Sequence, residues 1–259
     1  MKHKRSLGIG LMSLFAGTSA LCIGPDPVPA SEAAAQKFVS HIESLSPQSG
    51  FIIALYELPK SERRTEALRV LIGYDVESRA WFKIHAWNGG VFGRDKTGRL
   101  IEGHASMGAI GFGEEAPELP IDDTPVEEFL PFAFLNGMHD RPESFMRTYA
   151  DNEGGLVCDV SLPLGRRFGE RLCKDATCNK TVLFGVDSKG RLSWKQRLDQ
   201  RAPTTYQYSD RSPEGFSLPD SANGGQWRLV SAEAHPDGGA DLITPEAIEV
   251  LARNYGVLK

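Results

Sequence analysis

Between Phe51 and Gly103 the chain places five β-like segments almost end to end: Phe51–Glu57, Leu68–Val76, Arg79–Trp87, Gly90–Arg94 and Arg99–Gly103. The gaps between them are too short for the crossover that a parallel pair requires, so neighbouring strands must run antiparallel. Asp75-Val76-Glu77-Ser78, Asn88-Gly89-Gly90 and Asp95-Lys96-Thr97-Gly98 supply the turn chemistry between runs. A second series follows the middle of the chain: Leu156–Leu162, Phe168–Cys173, Lys180–Asp187, Arg191–Leu198, Thr204–Ser209 and Trp227–Ala232. Asp187-Ser188-Lys189-Gly190 repeats the earlier acidic, glycine-ended turn, either as a faint internal repeat or as a second generic hairpin.

Four helical segments accompany the strands. Ser31 can cap the first, in which Ala35, Phe38, Val39, Ile42 and Leu45 recur at helical spacing. In the middle, Thr124, Pro125 and Glu127 form a capping sequence before Phe129, Phe132, Phe134 and Leu135, with Pro131 kinking or ending the first part. A further short helix is expected over Pro142–Tyr149. Thr244 and Pro245 open a C-terminal helix that runs to Arg253. The resulting fold class is α+β: a curved antiparallel sheet of roughly ten strands with an N-terminal helix and inserted lid helices. No linker divides residues 31–259, so they read as one domain.

The segment Trp81–Trp87 is apolar on both sides. Alternation puts Phe82, Ile84 and Ala86 on one face, and Trp81, Lys83, His85 and Trp87 on the other. Such a strand is normally covered on both faces. The Phe-rich middle helix can cover one of them, near Phe82, Ile84 or Trp87. Either the concave side of the sheet holds an acyl chain beneath a helical lid, or the same residues form a solid core. In the first case Phe82, Ile84, Trp87, Phe129, Phe132 and Phe134 are the ligand-binding candidates.

The N-terminus carries Lys2, His3, Lys4 and Arg5, then an uncharged run from Leu7 to Gly24. This pattern describes a secretory signal peptide over residues 1–30, with the exit at Val28-Pro29-Ala30 or, earlier, after Ala20. The expected product is exported, to a periplasm or the extracellular space, without a stable membrane span. Cys22 lies in Ser19-Ala20-Leu21-Cys22, which departs from a lipobox at Leu21. In an oxidising compartment the short loop between Cys173 and Cys178 suits a disulfide, although Cys158 can also pair with either. The chain has a net charge of -5, which excludes the basic surface that nucleic acid demands.

Catalytic motifs are absent. Gly103-His104-Ala105-Ser106-Met107-Gly108 lacks the glycine two places before serine that a nucleophile elbow needs. Gly108, Gly111 and Gly113 do not follow the dinucleotide-binding order, and no phosphate-cradling loop carries a lysine. His41, His85, His104, His139 and His235 are scattered, and Asp151-Asn152-Glu153-Gly154 lacks calcium-loop spacing. Asp122-Asp123 suits the start of the following helix. No cofactor and no metal site is expected, and the chain reads as non-catalytic.

The order of elements, together with Val182–Leu192, Tyr206–Asp210 and Phe216–Pro219, resembles the late hairpin of LolA/LolB-like lipoprotein carriers. Gly73-Tyr74-Asp75 through Gly98 is loosely similar to their earlier strands. The long Ala116–Arg147 segment, the Cys173–Cys178 loop and the C-terminal helix depart from that pattern. The resemblance implies a half-barrel that shields a lipid or acylated ligand. It does not imply transfer of lipoproteins between membranes. A structural or interaction module with a solid core is the alternative, and a hydrolase the third reading.

Overall fold

The computed structural model describes residues 30–43, 45, 47–115, 126–163, 179–198, 200–222 and 225–257. The signal segment, Cys22, Asp122 to Pro125, the Phe168–Cys173 strand and the Cys173–Cys178 loop lie outside the described residues.

Among the described residues thirteen strands form two antiparallel sheets. In chain order they are β1 (Phe51–Leu58), β2 (Leu68–Asp75), β3 (Trp81–His85), β4 (Gly90–Arg94), β5 (Arg99–His104) and β6 (Ala109–Glu115). Then come β7 (Phe145–Ala150), β8 (Leu156–Pro163), β9 (Asn179–Val186), β10 (Leu192–Arg197), β11 (Thr204–Thr205), β12 (Ser221–Ala222) and β13 (Trp227–His235). The larger sheet has the order β12-β13-β1-β2-β3-β4-β5-β6, and the smaller β11-β10-β9-β8-β7. A bridge between Tyr208 and Pro219 joins them, because the chain leaves β11, turns back and enters β12. Asp220 N–H donates to Gln207 O at 2.8 Å beside that bridge. The α+β antiparallel architecture expected from sequence is present, with its strands divided between two sheets that join at a hinge over residues 206–220. Among the described residues no closed barrel forms.

The helices are α1 (Ala30–Ile42), α2 (Pro131–His139) and α3 (Pro245–Asn254). Ser31 sits inside the first turn of α1 rather than capping it. Proline is tolerated where the first helical N–H has no partner, and Pro131 begins α2 in that way. Before it, Val126–Phe129 makes a turn, closed by Leu130 N–H donating to Val126 O at 2.8 Å. The expected helix over Pro142–Tyr149 is instead one 3-10 turn, Pro142–Ser144, followed by β7. Phe145 and Thr148 are buried while Met146, Arg147 and Tyr149 are exposed, a pattern bent by a bulge between Phe145 and Arg147. β6 escaped notice because Gly111 and Gly113 interrupt its apolar run. Thr244 caps α3 as expected, its hydroxyl accepting from Ala247 N–H at 3.3 Å.

Three apolar layers hold the molecule together. The outer face of the large sheet, with Phe51, Ile53, Leu55, Phe82 and Ile84, packs on Ile248 and Ala252 of α3. Its inner face, with Ile52, Tyr56, Ile72 and Trp81, packs on Phe129, Leu130, Phe132 and Ala133. The small sheet, through Val160, Val182 and Phe184, packs on α1 and on Phe134, Leu135 and Met138 of α2. α2 thus lies between the sheets and touches both. A helix apolar all round is a buried helix, which is why the Phe-rich sequence has no polar face.

The acidic turns have a local cause. Asp95 Oδ1 accepts from Thr97 and Arg99 N–H, Asp187 Oδ1 from Lys189 and Arg191 N–H, and Asp151 Oδ1 from Glu153 and Gly155 N–H. Three turns share this bonding pattern, a recurring way to close a hairpin. Cys158 is a free, buried thiol among the small-sheet core residues.

Candidate ligand-binding face

The inner face of β3, β4 and β5 is built from rows of side chains that pairing aligns. Trp81 stands beside Tyr74 and Arg94. Lys83 stands between Ile72 and Phe92, and Phe92 stands beside Glu102. His85 is separated from His104 by Gly90, which contributes no side chain. On one side of these rows lies the segment Val126–Ala133, here called the plug. On the other side the sheet continues to its β6 edge.

The plug is fastened at both flanks. The Tyr56 hydroxyl lies 2.9 Å from Phe129 O, and Lys83 Nζ sits 4.9 Å from the Phe129 ring centre. From the small sheet, Lys195 Nζ lies 3.5 Å from Glu127 Oε2 and 4.5 Å above the Phe134 ring. Burial holds the Tyr56 hydroxyl proton well above its ordinary pKa, with Tyr208 and Asp220 adding to the effect.

Two hollows flank the plug. One, of about 590 Å³, opens at the end of the sheet where the β4–β5 turn lies, and includes Tyr74, Arg79, Trp81, Arg94, Glu127 and Arg141. The other, of about 690 Å³, is open and is lined by Lys83, His85, Phe92, Glu102 and His104. Phe92 is exposed there, while Phe112, beneath the Arg99 guanidinium, is exposed on the outer face of neighbouring β6, beside Ile101. Burial pushes the Lys83 ammonium below its usual range, opposed by Glu128. Burial, then the Lys83 charge, lowers His85 to about 4, so its imidazole is neutral at pH 7.

The six candidate ligand residues do not meet in one place. Phe82 and Ile84 lie fully buried on the outer face beneath α3. The expected contact between them and the Phe-rich helix is absent, because one strand cannot turn both faces to one helix. Trp87 is 45% exposed, stacks on His85 at 4.4 Å and lies 5.9 Å from Trp227. Trp227 in turn contacts Phe129 at 5.9 Å, so Trp87 and Phe129 share one end of the plug. Phe132 packs on Tyr74 and Phe216, each at 5.6 Å. Phe134 turns to the other sheet and meets Phe184 at 5.1 Å. Tyr56, Phe92 and Lys195 went unnoticed in the sequence, and Glu127 was read there only as part of a capping sequence. Alternation from Val91 would have flagged Phe92, but nothing local links Glu127 to a lysine 68 positions away.

Of the scattered histidines, only His85 and His104 among the described residues line one hollow. His139 ends α2 and lies 3.5 Å from Asp140, while His85 and His104 stand on the sheet. Among the described residues no group of three His, Cys, Asp or Glu side chains has metal-binding proximity. No described helix is long and apolar enough to cross a membrane.

No protein-family model matches the chain, and no curated protein matches it in sequence. Solved structures similar to it include a domain described as an outer membrane lipoprotein-sorting protein from Vibrio parahaemolyticus. That domain shares 9% identity, with a TM-score of 0.45 over 85% of this chain and 99% of the other. A LolA superfamily protein from Nitrosomonas europaea shares 13% identity, with a TM-score of 0.43 over 82% and 97%.

Proposed function

We propose that the protein is an exported, non-catalytic binder of a lipid or other apolar ligand, held on the inner face of β3, β4 and β5 beside the plug. One observation carries this reading: the plug covers only part of that face and leaves an open hollow of about 690 Å³ with Phe92 exposed on its floor. Leaving apolar side chains in water is unfavourable by roughly 25 cal/mol per Å², so an apolar ligand gains by covering them. Lys83 at the inner wall offers a charge to an acyl carboxylate or headgroup. In this reading Trp87 and Phe129 border the ligand, while Phe82 and Ile84 support the strand from behind.

A fluorescent acyl probe added to delipidated protein tests the proposal. Phe92→Ser should weaken uptake severalfold and cost less stability than a core substitution, since its ring is 37% exposed, whereas Phe112→Ser, on the outer face beside Ile101, should leave uptake unchanged. No uptake by the parent protein, or uptake that the Phe92 variant retains in full, overturns it.

A second reading rests on Phe129, Phe132 and Phe134, which are 2%, 5% and 0% exposed against protein alone. In it the interior is a solid core and the molecule is an interaction module of the cell envelope. Acyl chains released from natively purified protein, detected by mass spectrometry, would favour the first reading over this one.

A further inference from the structure

We infer that the end of the large sheet formed by the β1–β2, β3–β4 and β5–β6 connections docks on an anionic lipid bilayer. The inference goes beyond the proposed ligand binding and does not depend on it. Pairing of Leu58 with Leu68, of His85 with Gly90 and of Gly90 with His104 brings the three connections out at one end. Ala105 N–H donates to Gly89 O at 2.8 Å and ties two of them together. β13 starts at the same end, because Glu57 pairs with Arg228.

Two large apolar side chains project there. Met107 is 69% exposed and Trp87 45%. The Trp87 ring is held by His85 and Trp227 rather than swinging free. Tryptophan favours the membrane–water interface, where an apolar ring and a polar N–H are both accommodated. Around these tips stand Lys60, Arg63, Arg64, Arg69 and Arg228. The carboxylates of the same loops and strand ends are Glu57, Glu62, Glu66 and Glu102, and Arg69 Nε already bonds Glu57 at 3.0 Å. Lys60, Arg63 and Arg228 are exposed. A chain of net charge -5 thus presents a positive end. Anionic lipid attracts such cations, and opposite charges steer the approach. Two apolar tips on separate short turns can enter a fluid headgroup layer without the shape match that a protein surface demands.

The full chain is sedimented with vesicles of phosphatidylcholine alone and of phosphatidylcholine and phosphatidylglycerol in equal parts. Binding is expected to the mixed vesicles and to fall with added salt. The double variant Lys60→Gln, Arg63→Gln should weaken it about 25-fold, at about fivefold per cation. Brominated lipid should quench the parent's emission, and Trp87→Phe should reduce that quenching, leaving the part that comes from neighbouring Trp227. Met107→Ser should weaken binding without touching the tryptophans. The N-terminal segment is the same in every variant, so binding that all of them keep belongs to it and overturns the inference. Equal binding to neutral vesicles, or binding only to an acidic protein, overturns it as well.

Discussion

The Tyr56 hydroxyl lies 2.9 Å from the Phe129 carbonyl oxygen and 3.1 Å from that of Pro219. One proton is therefore shared between the plug and the hinge that joins the two sheets. Tyr56 is fully buried, so neither carbonyl has water as a substitute partner. Tyr56→Phe keeps the ring and its packing on Phe129 but deletes the donor. The expected cost is about 1–3 kcal/mol, the penalty for buried acceptors left unpaired, measured as a shift in urea midpoint at constant slope. An unchanged midpoint would mean that the hydroxyl does not hold the plug.

Glu127 and Lys195 clasp the plug to the small sheet, with side chains 4% and 18% exposed. Breaking a buried pair by removing one partner is costly, while replacing both can be nearly neutral. Lys195→Met should therefore cost about 3 kcal/mol, and adding Glu127→Gln should recover part of that loss. Denaturation midpoints of the two single variants and the double variant form the cycle. Additive losses would show that the two groups do not interact.

His85 gives the stability a pH dependence. Its folded pKa is about 4, below the ordinary histidine value of 6.5, through burial and then the neighbouring Lys83. The unfolded chain thus takes up a proton at higher pH than the folded one. The stabilisation is present above about pH 6.5 and is lost as pH falls through 4. His85 is partly open to solvent, so screening reduces the effect to about 1 kcal/mol. Midpoints measured from neutral to acid pH should fall more steeply for the parent than for His85→Gln. Parallel curves would refute the assignment.

Cys158 should resist alkylation in the folded protein, since burial pushes its thiol up to about 12, with the Thr148 hydroxyl 3.8 Å from its sulfur. Reagent should reach it on the timescale of unfolding. Peptide mapping without reductant should find Cys173 joined to Cys178 in exported material, as the compartment and loop length suggest. The same mapping should find residues 1–30 missing. Free thiols at both loop positions, or an intact N-terminus, would defeat those two expectations.

What was legible in the sequence was local. Gly90–Arg94 was bounded correctly because Asn88-Gly89 and Asp95–Gly98 mark both ends. The two faces of Trp81–Trp87 were assigned correctly because alternation is intrinsic to an extended strand. The division into two sheets was not legible. It depends on β13 pairing with β1 across most of the chain and on a single bridge at Tyr208 and Pro219. The plug was half legible: its apolar content was plain, but its contact with both sheets depends on where Pro131 starts the helix. Trp87 was rightly placed opposite Phe82, yet both entered one candidate site, because sequence shows which face a residue takes and not what covers that face.

Phe132 decides whether the interior is core or ligand space. It is 5% exposed and meets Tyr74 and Phe216 in edge-to-face contacts at 5.6 Å. Phe132→Ala removes those contacts and leaves a void, at an expected cost of about 3–5 kcal/mol. That loss alone does not separate the two readings, because a plug that packs well in the empty protein gives the same result. The added acyl probe separates them. If the inner face takes acyl chains, the void enlarges a space that already accepts them, and a ligand that binds only the folded state restores stability in proportion to its concentration. At one hundred times the dissociation constant the recovery is about 2.7 kcal/mol, at least half of the loss. If the interior is solid core, the void is too small and too closed for a chain, and the midpoint stays low at every probe concentration. The parent protein measured beside the variant provides the reference, since a probe that stabilises both equally binds away from Phe132.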